Sequence, residues 1–271
     1  MALPFSVQRT VVVAPHPDDD VIAAGGLIQR VLAARGDLRV VFVTDGENNP
    51  WPQRFTERKF FLAAGDRVAW GAMRRREALC SLARLGVSES AAVFLAFPDQ
   101  GMAKLARRRD TRLSDALRAI VADFQPTLIV SPSTYDLHAD HRAIAYFTHS
   151  AAGDTPIVTY VVHGQGQTHR LSCRVELSES ERQRKREAIA CHVSQLALSR
   201  DRFLSHARQA ELFYQPEFDQ VRVESAAREW LTALRHSMHV LFGTYPAAGD
   251  SAIPSLTPKA EGEESTAAQH L

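Results

Sequence analysis

Five short runs of β-branched and aromatic residues recur along this chain: VVVA at 11–14, LRVVFVT at 38–44, AVFLAF at 92–97, TLIVS at 127–131 and PIVTYVV at 156–162. Stretches with helical spacing of apolar side chains lie among them, at 20–35, 70–85, 111–124 and 138–151. Buried strands alternating with helices are satisfied by right-handed crossovers onto a mostly parallel sheet. The chain therefore reads as α/β, with a Rossmann-like, mostly parallel sheet flanked by helices. Gly36, Gly86 and Pro126 punctuate the elements where helices should stop. Residues 45–68 show no clear period, and GENNPWP inside them reads as loop.

After about residue 165 the rhythm changes. CRVEL at 173–177 suits one more strand. Ser178 followed by Glu181 is a capping-box signature that opens a helix to about Cys191. Residues 200–214 and 222–242 read as helices. The expected organisation is a core at 1–165, a strand and helical C-terminal extension at 166–245 completing the same domain, and a Pro/Ser/Ala/Glu-rich tail at 246–271 that is expected to be disordered.

A formal net charge of +1 gives no electrostatic reason to expect nucleic acid as a partner. MALPFSVQRT lacks a signal-peptide pattern, and no run approaches the roughly 20 apolar residues of a membrane span. Cys80, Cys173 and Cys191 are odd in number and widely spaced. They are expected to be unpaired, with Cys80 and Cys191 in the core, which suits a reducing cytoplasm.

The first strand-to-helix turn carries the chemistry. A dinucleotide-binding turn needs glycines there, but this chain reads APHPDDD at 14–20. Three carboxylates would repel a pyrophosphate. Ligands of open α/β sheets sit beyond the carboxyl ends of the strands. The residues there are His16, Asp18, Asp19 and Asp20; then Thr44, Asp45 and Gly46; then Pro98, Asp99, Gln100 and Gly101; then Asp136, His138, Asp140 and His141. Imidazoles and carboxylates from separate strands thus meet at one rim. This is the donor set of a catalytic zinc site, with three protein ligands and one open position. A lone aspartate here would be an ordinary helix cap, but three with a histidine and two prolines exceed that need.

Several motifs in order make the chain similar to the PIG-L/LmbE-like superfamily of zinc-dependent N-acetylglucosaminyl deacetylases. APHPDDDVIAAGGLI resembles its first signature, A-H-P-D-D-E before a Gly-Gly helix, and LHADH at 137–141 its second, H-P-D-H. VVFVTDGE, RRREALCSLARLGV, FPDQGM and KREAIACHVSQ match further segments, so the likeness spans roughly residues 10–215. Asp20 stands where the family has Glu, and Ala139 where it has Pro.

The resemblance implies a metal-dependent hydrolase that releases acetate from a GlcNAc-type amino sugar on a glycolipid, a lipopolysaccharide-type glycan or a glycoconjugate precursor. A conjugate amidase and a catalytically silent sugar-binding module are the alternatives. His16, Asp19 and His141 would bind Zn2+, with Fe2+ or Co2+ as alternatives. Asp18 would be the general base, His138 the oxyanion stabiliser and Asp140 its orienting partner. Arg74 and Asp99 would contact substrate. The competing reading for Arg74–Arg76 is a solvated helix face, with Glu77 paired to one of the arginines. RQRKR at 182–186 is expected to be exposed, and His163 and His206 not to be ligands. The implied partner is a small molecule or glycan carrying an N-acetyl amino sugar, and the implied location is cytoplasmic or membrane-peripheral.

Overall fold

The computed structural model describes residues 6–217. The chain runs β1 (Arg9–Ala14), α1 (Asp19–Ala33), β2 (Asp37–Thr44), α2 (Pro50–Glu57), α3 (Ala64–Leu85) and β3 (Ala92–Phe97). It continues through α4 (Met102–Arg107), α5 (Arg112–Phe124), β4 (Leu128–Pro132), α6 (Ala139–Ala151) and β5 (Ile157–Tyr160). Last come β6 (Leu171–Val175), α7 (Glu179–Ile189), α8 (Val193–Ser205) and β7 (Glu211–Tyr214). These strands form one seven-stranded sheet in the order β3-β2-β1-β4-β5-β7-β6. Strands β1 to β5 are parallel, and β7 runs antiparallel to both β5 and β6.

Alternation along β1 explains why both faces are covered. Val12 and Ala14 join a cluster with Leu27 of α1, Leu82 of α3, Ala188 of α7 and Leu196 of α8. Val11 and Val13 join another with Met102 of α4, Leu113 of α5 and Phe147 of α6. Successive side chains of a strand point to opposite faces, so an all-apolar strand requires a layer on each side. β1 pairs with β2 on one edge and β4 on the other. The chain therefore leaves these central neighbours in opposite directions, which opens a crevice at their carboxyl ends.

A buried ion pair fixes α1 against the C-terminal elements. Lys185 Nζ lies 2.6 Å from Glu211 Oε1 and donates to Ile22 O at 2.9 Å. Glu211 also accepts from Gly26 N at 2.6 Å and Leu27 N at 2.8 Å. Both charged side chains are 1% exposed. Gly26 is required for this approach, because a Cβ there would collide with the Leu177 side chain and crowd the Glu211 carboxylate.

Four expectations are corrected. Residues 200–214 are not one helix: α8 ends at Ser205 and ELFY forms β7. Pairing with β5 and β6, distant in sequence, decides that segment. The stretch 45–68, read as without period and with GENNPWP as loop, contains α2, which takes in the PWP of that motif, and the first residues of α3. Its apolar period was obscured because Trp51 and Phe55 face solvent. Lys185, inside the supposedly exposed RQRKR, is buried. Cys80 and Cys191 are joined in a disulfide with Cα atoms 5.9 Å apart, and Cys80 is exposed. That pairing removes the argument from unpaired cysteines for a reducing compartment. The expected helix at 222–242 and tail at 246–271 lie outside the described residues.

Candidate active site

The two strands flanking the crevice supply the two histidine-bearing turns. Beyond β1, Thr44 donates through its N and Oγ1 to Pro15 O, pinning the PHPDDD turn to β2. Asp18 sits at φ 151°, ψ −28°, a conformation that costs a non-glycine residue about 1–3 kcal/mol. Asp19 folds back so that its Oδ2 accepts from His16 N at 3.0 Å. Beyond β4, His138 caps α6, its Nδ1 accepting from Asp140 N at 3.3 Å. Asp136 braces this turn, accepting from His138 N at 2.8 Å and from Val162 N at 2.8 Å.

His16 Nδ1 and His141 Nε2 lie 3.1 Å and 3.2 Å from Asp19 Oδ2, and 3.4 Å from each other. A tetrahedral ion with ligand bonds of about 2.0–2.1 Å holds its donors about 3.3–3.4 Å apart. The triangle thus has the size and donor chemistry of one divalent site. His16/His138/Asp140 and Asp136/His141/His163 also bring donor atoms within 4.8 Å of one another. Both share a histidine with the first triangle, so these are flanks of one centre.

Each of the two imidazoles is backed by a further carboxylate. Asp99 Oδ1 lies 3.1 Å from His16 Nε2, and Asp136 Oδ2 lies 3.1 Å from His141 Nδ1. Such outer carboxylates fix the tautomer and aim the other ring nitrogen at a metal. Asp136 was visible at a strand end, two residues before His138, but nothing in the sequence gave it this task. Asp99 also accepts from Asn48 N at 2.9 Å. Asp140 accepts from Gln100 N at 2.6 Å and Met102 N at 3.1 Å, tying the turn after β3 to the site.

Arg74 is buried, not part of a solvated face. Its guanidinium lies 3.2 Å from Asp18 Oδ2 and donates to Gly46 O and Pro17 O, each at 3.0 Å. Gly46, at φ 62°, must lack a Cβ because the guanidinium occupies that space. Arg75 instead grips Asp45 with two parallel bonds, Nε to Oδ1 at 2.6 Å and Nη2 to Oδ2 at 2.8 Å. Glu77 pairs with no arginine in that row; it accepts from Ser194 N at 2.8 Å and Ser194 Oγ at 2.5 Å, anchoring the start of α8.

The electrostatics separate the neighbouring aspartates. Burial pushes Asp18 up to about 7; Arg74 opposes the rise and Asp19 adds to it. Burial also acts on Asp19, but His141 and His16 hold it well below the usual carboxylate range. Burial, with the charges of Asp18 and Asp19, pushes Asp20 up to about 8. Burial disfavours a charged His141, yet Asp136 and Asp19 raise it to about 9. Protons therefore compete with a metal for these nitrogens. His192 is fully buried and is driven down to about 3 by burial and by Arg74, so its ring is neutral at pH 7.

His16, Asp18, Asp19, Arg74, Asp99 and His138 all line one open cavity, and Asp140 and His141 are buried beside it. Gln100 and Gln195 line it too, and several further walls were not foreseen. Asn49 stands at the N-cap of α2 and Pro52 lies in its first turn, His163 comes from beyond β5, Phe203 from the last turn of α8 and His206 from just after it. Long-range packing assembles these walls, and no local pattern announces them.

The fold and the site define a Rossmann-like α/β protein with a carboxylate-braced His/Asp/His centre at its topological switch point. The profile of the PIG-L family, described as GlcNAc-PI de-N-acetylase, matches residues 11–152, and the chain belongs to that family. It is 35% identical over 152 residues to a 1D-myo-inositol 2-acetamido-2-deoxy-α-D-glucopyranoside deacetylase of Mycobacterium sp. (strain KMS), covering 50% of this chain and 47% of that protein. The same enzyme of Corynebacterium glutamicum (strain R) is 29% identical over 168 residues, covering 57% and 56%. The chain thus spans about half the length of the curated relatives it matches. In fold it is similar to a teicoplanin deacetylase in its zinc-inhibited form, with TM-score 0.59, 20% identity and coverage of 76% of this chain and 97% of that one. It is also similar to the 4-carboxy-2-hydroxymuconate hydratase of Pseudomonas putida, with TM-score 0.57, 19% identity and coverage of 78% and 98%. One fold carries both chemistries, so the reaction must be argued from the site.

Proposed function

We propose that the protein is a metal-dependent hydrolase that removes the N-acetyl group of a GlcNAc-type amino sugar. The observation that carries this reading is the His16/Asp19/His141 triangle, with edges of 3.1, 3.2 and 3.4 Å, standing beside a separate carboxylate on Asp18. The family and the deacetylase activity of the relatives support it. A divalent cation there supplies Lewis acidity, polarising an amide carbonyl and acidifying a water. Zn2+ suits the donors, as do Fe2+ and Co2+.

The other roles belong to the chain. Asp18 takes the proton of the attacking water; a base that titrates near the working pH is the efficient one. Arg74 keeps that carboxylate in place. His138 donates to the oxyanion as the carbonyl carbon becomes tetrahedral. Because its Nδ1 accepts from the Asp140 amide, the neutral ring carries its proton on Nε2. Collapse of the intermediate breaks the C–N bond, and the proton held by Asp18 passes to the departing amine.

The test is incubation of the purified full chain with GlcNAc-inositol and with simpler N-acetyl amino sugars, reading acetate and free amine, before and after chelation and metal return. Chelator-sensitive release of both products in equal amounts is expected. Metal-loaded protein that releases neither from any of these amides would refute the reading. The location proposed is cytoplasmic or membrane-peripheral. Among the described residues no helix is long and apolar enough to cross a membrane.

A further inference from the structure

Eight large apolar side chains are exposed among the described residues, and five of them crowd into residues 51–68: Trp51, Phe55, Phe60, Phe61 and Val68. Phe60 and Phe61 are 79% and 82% exposed, with ring centroids 5.0 Å apart. Trp51 and Phe55 stand four apart on the outer face of α2, while Pro52 and Gln53 are buried on its inner side. A cluster of exposed aromatics of this kind marks an interaction site and is not expected of a bare surface.

The charges say what kind of site it is. Arg54, Arg58, Lys59 and Arg67 face only Glu57 and Asp66 in this segment, a formal surplus of two positive charges. The Arg54 guanidinium stacks on Trp51 at 5.4 Å from the ring centroid, and Arg58 is exposed between the two aromatic groups. Aromatic rings interleaved with cations match the headgroup layer of a bilayer, where rings settle at the polar–apolar boundary and cations meet anionic lipid. The segment also adjoins the cavity: Asn49 and Pro52, at the start of α2, line it.

We propose that residues 51–68 dock the protein on an anionic lipid surface. Phe55, Phe60 and Phe61 enter the headgroup region, Arg54 and Arg58 meet lipid phosphates, and the cavity mouth is held next to the membrane. The proposal concerns the approach to the cavity and is independent of which amide is cleaved.

The test is co-sedimentation of the full chain with phosphatidylcholine vesicles, with and without phosphatidylglycerol, at low and physiological ionic strength. Binding is expected only when phosphatidylglycerol is present, and it should weaken with salt. The double variant Phe60→Ser/Phe61→Ser should lower the partition coefficient about tenfold or more. Arg58→Glu should lower it at low salt and have little effect at high salt. Both variants should keep the wild-type melting temperature, because these side chains are solvated in the free protein. Protein that stays in the supernatant with both vesicle types, or binding that survives the double variant, overturns the proposal. So does a sedimentation-velocity dimer that binds no vesicles and is dispersed by the double variant, which would give this surface to a second copy of the chain. Vesicle binding is read without turnover. An inactive protein that binds vesicles refutes the hydrolase reading alone, and an active one that ignores them refutes this proposal alone.

Discussion

Asp99 Oδ1 lies 3.1 Å from His16 Nε2, while the opposite ring nitrogen of His16 faces Asp19 Oδ2 at 3.1 Å. The imidazole is held at both ends, so rotating it to reach any other partner costs two charge-assisted contacts. Asp136 does the same for His141. Asp99→Ala and Asp136→Ala should each weaken metal binding about 10- to 100-fold, as measured by competition with a chromophoric chelator. The alternative assignment of Asp99 to substrate predicts a higher KM with unchanged metal affinity. The two outcomes cannot be confused.

Asp18 and Asp19 are adjacent in sequence but do different work. Asp18→Asn should keep the metal and lose about 100-fold or more in kcat, the worth of a positioned general base. Asp19→Asn should lose the metal. Equal metal loss in both variants would show that the division is wrong. The pH profile adds a signed check. Asp18 acts as base only when ionised, so kcat/KM should fall on the acid side as it protonates. Burial holds its pKa up and Arg74 pulls it down. Arg74→Gln should therefore move the acid limb to higher pH. An acid limb that stays in place would detach Arg74 from the base.

Lys185 and Glu211 test how the C-terminal elements hold the first helix. Glu211→Ala leaves a buried ammonium without its counter-charge and removes the carboxylate that accepts from two amides of α1. Removing one partner of a buried pair typically costs about 3–5 kcal/mol. Glu211→Gln keeps an acceptor oxygen and should cost less. Denaturant unfolding of both variants measures the difference. A loss below about 1 kcal/mol for Glu211→Ala would mean that water reaches the pair.

This buried pair also shows where sequence reasoning stopped. The five parallel strands were legible because each is a compact apolar run closed by Gly, Pro or Asp, and the site because its histidines and aspartates fall at strand ends. In sequence Lys185 reads as one charge in an exposed basic run, since nothing local says that Glu211, 26 residues later, meets it. ELFY carries no turn signal and became a strand only through its partners. Asp136 and Asp99 were in view as carboxylates at the rim. Their contacts with one histidine each depend on how β3, β4 and α6 pack, which spacing alone does not encode.

His138 separates binding from catalysis most sharply. It lines the cavity and caps α6, but it lies outside the His16/Asp19/His141 triangle. His138→Ala should therefore keep wild-type metal content. An oxyanion exists only near the transition state, so its donor contributes to kcat and little to ground-state binding. Loss of one such donor typically costs about 100- to 1000-fold in kcat. The cap is lost as well, which should destabilise the protein by about 1 kcal/mol and is read separately from its melting curve. His138→Gln should recover part of the rate, because an amide N–H can reach toward the same oxygen without titrating. A water acidified by a divalent cation held at His16, Asp19 and His141 would titrate near neutrality, so the limbs of the pH profile are assigned by comparing variants and not from the wild-type profile alone. Metal content, kcat, KM and the pH profile should be measured on the same preparations. A His138→Ala protein that turns over at near wild-type rate with its metal in place would remove this residue from the mechanism.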